Sequence, residues 1–272
     1  MDFFTGALDE AVERSVGRPK TGDLKPEKTI SSDRKSAGSG LVWPIAARLV
    51  VAPSAPGLAV DLVQSTAYRE ALTTADLVLT DSGYMVLLWR AFTGEKLPRH
   101  SGLKFLRAVL ARPELKEPGA IFWVMPSSEE DVRNRSWLNA QGFPTTQEDT
   151  YIAPHYGSGG IEDCELLRRI EARRPKVVIL AIGGGVQERL GFALRKQLKS
   201  CQPGILCLGA AIAFLTGGQA NIPPWADKLV LGGLLRLLRN PRKFWRRYWE
   251  ALPLAALIWN QRERLPALRV KC

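Results

Sequence analysis

The fold of this chain is decided by a strand that runs directly into a glycine turn and a helix: Val177-Val178-Ile179-Leu180-Ala181-Ile182-Gly183-Gly184-Gly185-Val186-Gln187-Glu188-Arg189. The strand lacks the in/out alternation of a half-exposed strand, so both of its faces are expected to be buried. Glycines at such a turn let backbone N–H groups approach an anion at the helix N-terminus, although a tight structural turn needs the same residues. The spacing matches neither G-x-G-x-x-G nor a P-loop, because no Gly-Lys-Ser/Thr follows.

The same unit of a strand followed by a helix recurs from about residue 41 to residue 215. Further apolar, β-branched runs predict four more strands, at Arg48–Ala52, Leu77–Thr80, Ala120–Met125 and Ile205–Leu208. Helices are predicted at Val60–Thr74, Leu103–Ala111, Glu129–Ala140, Glu162–Glu171 and Gln187–Lys199. The alternation predicts an α/β fold, a Rossmann-like parallel sheet covered by helices, whose ligands bind beyond the carboxyl ends of the strands.

The segments that flank this core differ from it. Residues 17–40 are rich in Gly, Pro, Ser, Lys and Asp, so they cannot offset their ordering entropy by burial. Residues 1–40 are predicted to be a flexible leader with a short helix within residues 5–16. The α/β core is predicted over residues 41–218, and a basic helical appendage over residues 219–272. No signal peptide is predicted, because the start of the chain contains acidic residues and lacks a long apolar run. The protein is therefore expected to be cytoplasmic.

The appendage concentrates the positive charge of the chain. From residue 221 onward it holds eleven Lys or Arg against three Asp or Glu, which gives +8 of the total net charge of +11. Its bases alternate with aromatic residues in Pro241-Arg242-Lys243-Phe244-Trp245-Arg246-Arg247-Tyr248-Trp249, and the apolar run Leu252–Trp259 follows. Such a segment suits an anionic membrane surface, and it is shorter than the about 20 apolar residues that cross a bilayer. Nucleic-acid binding fits the charge but not the apolar run.

Two charged residues are candidates for chemistry. Asp81 directly follows the second predicted strand, and Gly83 lets the chain turn tightly into the next helix. A carboxylate there can act as a general base on a sugar hydroxyl, bind a ribose or a metal, or cap the helix that starts near Tyr84. Arg99 follows a proline turn and can clamp a phosphate through two hydrogen bonds. No metal or other cofactor is predicted, since the chain has two histidines, no C-x-x-C pair and no D-x-D motif.

Six motifs follow one another in a distinctive order: Arg69-Glu70-Ala71-Leu72; Ala75-Asp76-Leu77-Val78-Leu79-Thr80-Asp81-Ser82-Gly83; Gly94-Glu95-Lys96-Leu97-Pro98-Arg99-His100-Ser101-Gly102; Gly183-Gly184-Gly185-Val186-Gln187-Glu188; Gly209-Ala210-Ala211-Ile212-Ala213-Phe214-Leu215-Thr216-Gly217; and Pro223-Pro224-Trp225 through Leu237-Leu238-Arg239-Asn240-Pro241 to Trp245-Arg246-Arg247-Tyr248. In order and spacing they resemble the WecG/TagA/CpsF glycosyltransferases of bacterial cell-surface polysaccharide synthesis. The resemblance implies inverting, metal-independent transfer of an N-acetylhexosamine-type sugar, such as N-acetylmannosamine or its uronic acid. The donor would be a UDP-sugar and the acceptor a polyprenyl-diphosphate-linked sugar, at the inner face of the cytoplasmic membrane.

The resemblance also implies roles for individual residues. Asp81 takes the place of the family's proposed general base, Arg99 matches a substrate-phosphate arginine, and Gln187 matches an active-site glutamine. The predicted substrate-binding residues are Ser54, Gly83, Gly183, Gly184, Gly185, Glu188, Arg236, Arg246 and Arg247. The three arginines of this set fall in the appendage, whose arginines are thought to face the diphosphates.

Several positions depart from the family pattern and motivate an alternative function. The loop Pro53-Ser54-Ala55-Pro56 lacks an amide that would contact substrate, while Ala213 and Gly232 replace an Asp and a Glu. A weakened or inactive relative would serve as a membrane-surface adaptor in polysaccharide synthesis or export. The expected partners are the UDP-sugar, the polyprenyl-diphosphate-linked acceptor and the anionic inner-membrane surface, with no nucleic acid. The apolar appendage could also pack against a second copy of the chain.

Overall fold

A six-stranded sheet forms the centre of the computed structural model, which describes residues 3–16, 48–219, 241–262 and 264–269. The strands are β1 (Arg48–Val51), β2 (Leu77–Val78), β3 (Ile121–Met125), β4 (Thr150–Ile152), β5 (Val177–Leu180) and β6 (Gly204–Cys207). Their order across the sheet is β2-β1-β6-β5-β3-β4, and every neighbouring pair is parallel. The predicted α/β, Rossmann-like fold class is confirmed.

The five strands predicted from apolar runs are all present. Their residues are buried almost throughout, as strands covered on both faces must be. The sequence analysis missed β4, which lies at the edge of the sheet. Only Thr150 of β4 is buried, while Tyr151 is partly exposed and Ile152 is exposed, so this strand lacks the continuous apolar run that marks the others.

Helices connect the strands and cover both faces of the sheet. They are α1 (Leu8–Val16), α2 (Leu62–Gln64), α3 (Thr66–Thr74), α4 (Gly83–Thr93), α5 (Gly102–Leu110), α6 (Ser128–Ala140), α7 (Cys164–Arg173), α8 (Val186–Gln197), α9 (Ala211–Leu215), α10 (Pro241–Ala251) and α11 (Pro253–Gln261). A π-helical turn, Gly57–Asp61, precedes α2, and 3₁₀ turns occupy Pro113–Leu115 and Gln147–Asp149. The helix predicted over Val60–Thr74 is interrupted at Ser65, whose backbone is extended and whose Oγ caps α3 by accepting a hydrogen bond from Tyr68 N at 3.2 Å.

The core consists of two apolar layers, one on each face of the sheet. One layer combines side chains of α3, α7, α8 and α11, including Tyr68, Leu166, Leu190 and Ile258. The other combines α1, α5, α6 and α9 with the opposite face of the strands. Burial of aliphatic and aromatic surface on both faces is the main favourable term that holds such a sheet together.

The two terminal segments pack on this core where the structure describes them. Helix α1 is the short helix predicted within residues 5–16, and it buries Ala11 and Val12 against β1, β6 and α5. Residues 17–47, which include most of the predicted leader, lie outside the described residues. At the other end, α10 and α11 pack on the π turn, and α11 also packs on α4. The basic helix predicted over Trp225–Arg239 lies outside the described residues.

Candidate functional site

Several of the residues singled out by sequence lie at the carboxyl edge of four neighbouring strands, β2, β1, β6 and β5. Ser54 follows β1, Asp81 follows β2, the glycine turn follows β5, and Gly209 follows β6. Ser54 and the glycine turn lie close together, because a Cβ placed on Gly184 would be 3.3 Å from Ser54 Oγ. Parallel strands bring their carboxyl ends to one edge, which is where ligands bind in such sheets. We call this edge the candidate cleft.

Asp81 is held at the start of a helix distant from it in sequence. Its Oδ1 accepts a hydrogen bond from Gly102 N at 2.8 Å, at the N-terminus of α5. The adjacent helix α4 is capped by Ser82, whose Oγ accepts from Met85 N at 3.2 Å. The interpretation of Asp81 as the cap of the helix starting near Tyr84 is therefore wrong. Gly83 is the first residue of α4, so it turns the chain away from Asp81.

The loop after α4 places Arg99 beside Asp81. Arg99 Nε donates a hydrogen bond to the backbone carbonyl of Asp81 at 3.2 Å. Thr80 fixes this loop to the end of β2, since its Oγ1 donates to the carbonyl of Pro98 and accepts from His100 N. The structure thus brings a carboxylate and a guanidinium together, and such a pair can accept a proton and bind a phosphate.

Hydrogen bonds from two buried side chains hold the glycine turn in place. Glu188, which is 0% exposed, accepts hydrogen bonds from Gly185 N at 2.7 Å through Oε2 and from Gln187 Nε2 at 3.0 Å through Oε1. Gln187 Oε1 in turn accepts from Gly209 N at 2.6 Å, which ties the turn to the end of β6. Both side chains are thus buried and hydrogen-bonded within the protein, where they hold the glycine turn in place. The active-site role of Gln187 and the substrate contact of Glu188 stay predictions. Gly183 is exposed above these two side chains, with open space around its Cα.

A second carboxylate in the cleft escaped the sequence analysis. Asp61 lies against the glycine turn, since a Cβ placed on Gly185 would be 2.8 Å from Asp61 Oδ2. Burial raises the pKa of Asp61, while the charge of Arg189 opposes this rise and that of Glu250 adds to it. The sequence signal that could have identified Asp61 was its place as the one acidic residue within the apolar run Gly57–Val63. A charge in such a run is seldom fully buried without a partner.

The appendage reaches the cleft through α10. Glu250, near the end of this helix, acts electrostatically on Asp61 and accepts a hydrogen bond from Arg246 Nε at 2.9 Å. The guanidinium of Arg246 is exposed, and its described partner is Glu250 on the same helix. Arg236 and the side chain of Arg247 lie outside what the structure describes.

The ionisation of Glu188 gives a testable pH dependence of stability. Burial raises its pKa from 4.5 to about 7, so the folded protein retains a proton that the unfolded chain releases between these values. The stability that the protein gains from protonated Glu188 is thus fully present below about pH 4.5 and is lost as the pH rises toward 7. Relative to Glu188→Gln, the wild-type free energy of unfolding should fall by on the order of 3 kcal/mol across this range. Denaturant unfolding of both proteins from pH 5 to pH 8 measures this fall. If the free energies of unfolding of the two proteins changed in parallel with pH, the prediction would be contradicted.

Two features are absent from the described ranges. Within them, no three His, Cys, Asp or Glu side chains are grouped so that they could hold a metal ion. No helix in that part of the chain has the length and apolar character needed to span a bilayer.

Comparison with known proteins places the chain in a family. The model of the glycosyl transferase WecG/TagA/CpsF family matches residues 41–267, which are most of the chain and include Ser54, Asp81, Arg99 and the glycine turn. No curated protein matches the chain. The match spans the α/β core, the cleft and most of the appendage, rather than one local motif. The chain therefore belongs to the WecG/TagA/CpsF family of glycosyltransferases.

Proposed function

We propose that the protein is an inverting glycosyltransferase that moves an N-acetylhexosamine-type sugar from a UDP donor to a polyprenyl-diphosphate-linked acceptor. Its family consists of glycosyltransferases of cell-surface polysaccharide synthesis, which in general use a sugar-nucleotide donor and a lipid-linked acceptor. One observation carries the proposal. The Asp81 carboxylate is fixed by Gly102 N beside Arg99, at the same sheet edge as the glycine turn.

The geometry supports a single-displacement mechanism. Asp81 removes the proton from the acceptor hydroxyl, and the acceptor oxygen attacks the anomeric carbon from the face opposite UDP. The bond between the anomeric carbon and the phosphate oxygen breaks, UDP departs with its electron pair, and the configuration inverts. Arg99 and the backbone N–H groups of the glycine turn stabilise the charge that develops on the leaving diphosphate.

Release of UDP tests the proposal directly. Purified protein is incubated with a panel of UDP-N-acetylhexosamines and their uronic acids, with and without a polyprenyl-diphosphate-linked sugar. We expect UDP release that depends on the acceptor, and an inverted linkage in the product by NMR. Inertness across the whole panel would favour the adaptor alternative, which is motivated by the polar groups missing at Ala55 and Ala213.

We also infer that the appendage lies on an anionic membrane surface. Trp245 and Trp249 of α10 are 59% and 68% exposed, and Trp259 of α11 is 63% exposed. Two other residues of α11, Leu254 and Ile258, are buried in the core. One side of these helices therefore anchors them to the protein while the exposed tryptophans suit the membrane interface.

Surface substitutions test this inference better than truncation, because truncation would remove the buried Leu254 and Ile258 as well. The double variant Trp245→Ser/Trp249→Ser should bind anionic vesicles about ten-fold or more weakly, since two aromatic side chains no longer enter the interfacial layer. Co-sedimentation with vesicles of phosphatidylglycerol measures the change.

The matched control is Val132→Ser, at a residue that is 61% exposed on α6, a helix that packs against α9 and β3. This control should sediment like the wild type. A folded double variant that also sediments like the wild type would refute membrane contact through these tryptophans.

A further inference from the structure

Two polar side chains beside the glycine turn have no described partner. The carboxylate of Asp61, which is partly exposed, forms no hydrogen bond or ion pair with another described residue. The hydroxyl of Tyr68 is buried and likewise lacks a hydrogen-bond partner within the described ranges. Such groups are normally satisfied, because a buried or half-buried polar group without a partner is unfavourable. A ligand that pairs with this part of the cleft is therefore expected.

These two side chains and Ser54 lie where the segment after β1 reaches the glycine turn. Ser54 Oγ lies against the turn, and Asp61 Oδ2 would be 2.8 Å from a Cβ placed on Gly185. The Tyr68 hydroxyl lies behind this segment, because a Cβ placed on Gly57 would overlap it and would be 3.5 Å from Ser54 Oγ. We call Ser54, Asp61 and Tyr68 the polar wall.

The polar wall lies between Asp81 and the glycine turn in the order of the strands. Asp81 follows β2 and the turn follows β5, with β1 and β6 between these two strands. Ser54 and Asp61 belong to the segment that leaves β1. In the proposed mechanism, the reacting sugar lies between the base that activates the acceptor and the turn that holds the diphosphate. The sugar is therefore expected to meet the polar wall.

The charges around Asp61 favour an uncharged sugar over an acidic one. The guanidinium of Arg189 acts on Asp61 electrostatically. Its Nε and Nη1, however, donate hydrogen bonds to the carbonyls of Gly185 at 3.3 Å and of Gly159 at 2.7 Å. Glu250 adds negative charge from α10. A carboxylate on the sugar would face like charges here, whereas a hydroxyl can donate a hydrogen bond to Asp61.

We propose that Asp61 selects an uncharged N-acetylhexosamine and excludes its uronic acid. The inference rests on the proposed function, which supplies a UDP-linked sugar with either a hydroxyl or a carboxylate at C6. Asp61 accepts hydrogen bonds from the hydroxyl groups of the uncharged sugar, and it repels the carboxylate of the acid. Discrimination of this kind combines an attraction to one ligand with a repulsion of its competitor.

Pairs of donors that differ only at C6 test the role of Asp61. The probes are UDP-N-acetylmannosamine and UDP-N-acetylmannosaminuronic acid, the corresponding gluco pair, and UDP, each titrated calorimetrically. The wild type should bind the uncharged donor of one pair about ten-fold or more tightly than the acid, since like charges at close range are strongly unfavourable. Asp61→Asn keeps the shape of the side chain but removes its charge. The two donors should then bind within about three-fold of each other.

The matched control is Glu70→Gln, which removes one negative charge outside the cleft. The Glu70 carboxylate pairs with Lys196 Nζ at 3.6 Å, near the end of α8, whereas the glycine turn precedes the start of that helix. This control should keep the wild-type preference. Asp61→Ser, which is smaller and also uncharged, should lose the preference and guards against misfolding of Asp61→Asn.

Three results would overturn the proposal. The first is equal binding of the two donors of each pair by the wild type, and the second is an undiminished preference in the folded Asp61 variants. The third is an equal loss of affinity for UDP and for both donors in these variants, which would assign Asp61 to holding the turn.

A transfer assay separates this inference from the proposed function. With a polyprenyl-diphosphate-linked acceptor, the wild-type kcat/KM should favour the uncharged donor by the same factor as binding, and Asp61→Asn should narrow the difference. If the wild type prefers the uncharged donor in titrations but releases no UDP with any acceptor, the proposed function fails and the selection by Asp61 stands. If it transfers both sugars of a pair with equal kcat/KM, the selection by Asp61 fails and the proposed function stands.

Discussion

Asp81→Asn is expected to lower the rate of sugar transfer by about 10²- to 10⁴-fold while the protein stays folded. The amide oxygen of Asn can still accept the hydrogen bond from Gly102 N that Asp81 Oδ1 accepts at 2.8 Å, so the start of α5 is preserved. The amide has no basic oxygen, however, and cannot take the proton of the acceptor hydroxyl. Steady-state UDP release gives the rate, and thermal unfolding reports the fold.

The adjacent residue provides a control with the opposite expectation. Ser82→Ala removes the cap of α4, which should cost about 0.5–2 kcal/mol of stability, but it leaves the carboxylate of Asp81 in place. Its turnover should therefore stay close to that of the wild type at a temperature where it is folded. Wild-type turnover by a folded Asp81→Asn protein would remove Asp81 from the role of general base.

Gly185→Ala is expected to reduce both stability and donor binding. Gly185 has φ 86° and ψ −50°, a conformation that is strained for any residue with a side chain. The new Cβ would also lie 2.8 Å from Asp61 Oδ2, so the turn or Asp61 must move. We expect the free energy of unfolding to fall by about 1–3 kcal/mol. Donor affinity, measured by titration with UDP, should fall because the turn shifts.

Gly183→Ala is the matched control on the same turn. Its Cβ would meet no heavy atom within 4 Å, and its φ lies outside the left-handed region, so stability should be unchanged. If UDP approaches the exposed backbone of this turn, the methyl group should weaken UDP binding without weakening the fold. Equal stability of the two variants would show that the conformation of Gly185 is not required. Unchanged UDP affinity in Gly183→Ala would place the donor elsewhere.

Local sequence patterns predicted the central strands and the glycine turn because their signals are local. A strand buried on both faces must be apolar throughout, and all four residues of Val177–Leu180 are apolar. The edge strand β4 is partly solvated, so its residues need not form such a run. The break at Ser65 depends on a single capping hydroxyl within an otherwise helical pattern.

The contacts that assemble the cleft were harder to predict because they join distant segments. Asp81 accepts from a helix start that lies 21 residues away in sequence. Asp61 follows β1 and meets Gly185 after β5, although β6 lies between these two strands, and no local sequence pattern specifies the strand order. The effect of Glu250 on the pKa of Asp61 likewise depends on how α10 packs against the π turn.

The insertion of β6 between β1 and β5 also governs how the chain acquires its structure during synthesis. Arg48 pairs with Gly204, so β6, which comes last in sequence among the described strands, is the one that joins the two halves of the sheet. Until then the nascent chain exposes unpaired strand edges, which makes folding slow and favours protection by chaperones. Gly209 completes the bracing of the glycine turn only after β6 is in place. The glycine turn therefore reaches its braced form only after residue 209 has been synthesised, shortly before the appendage.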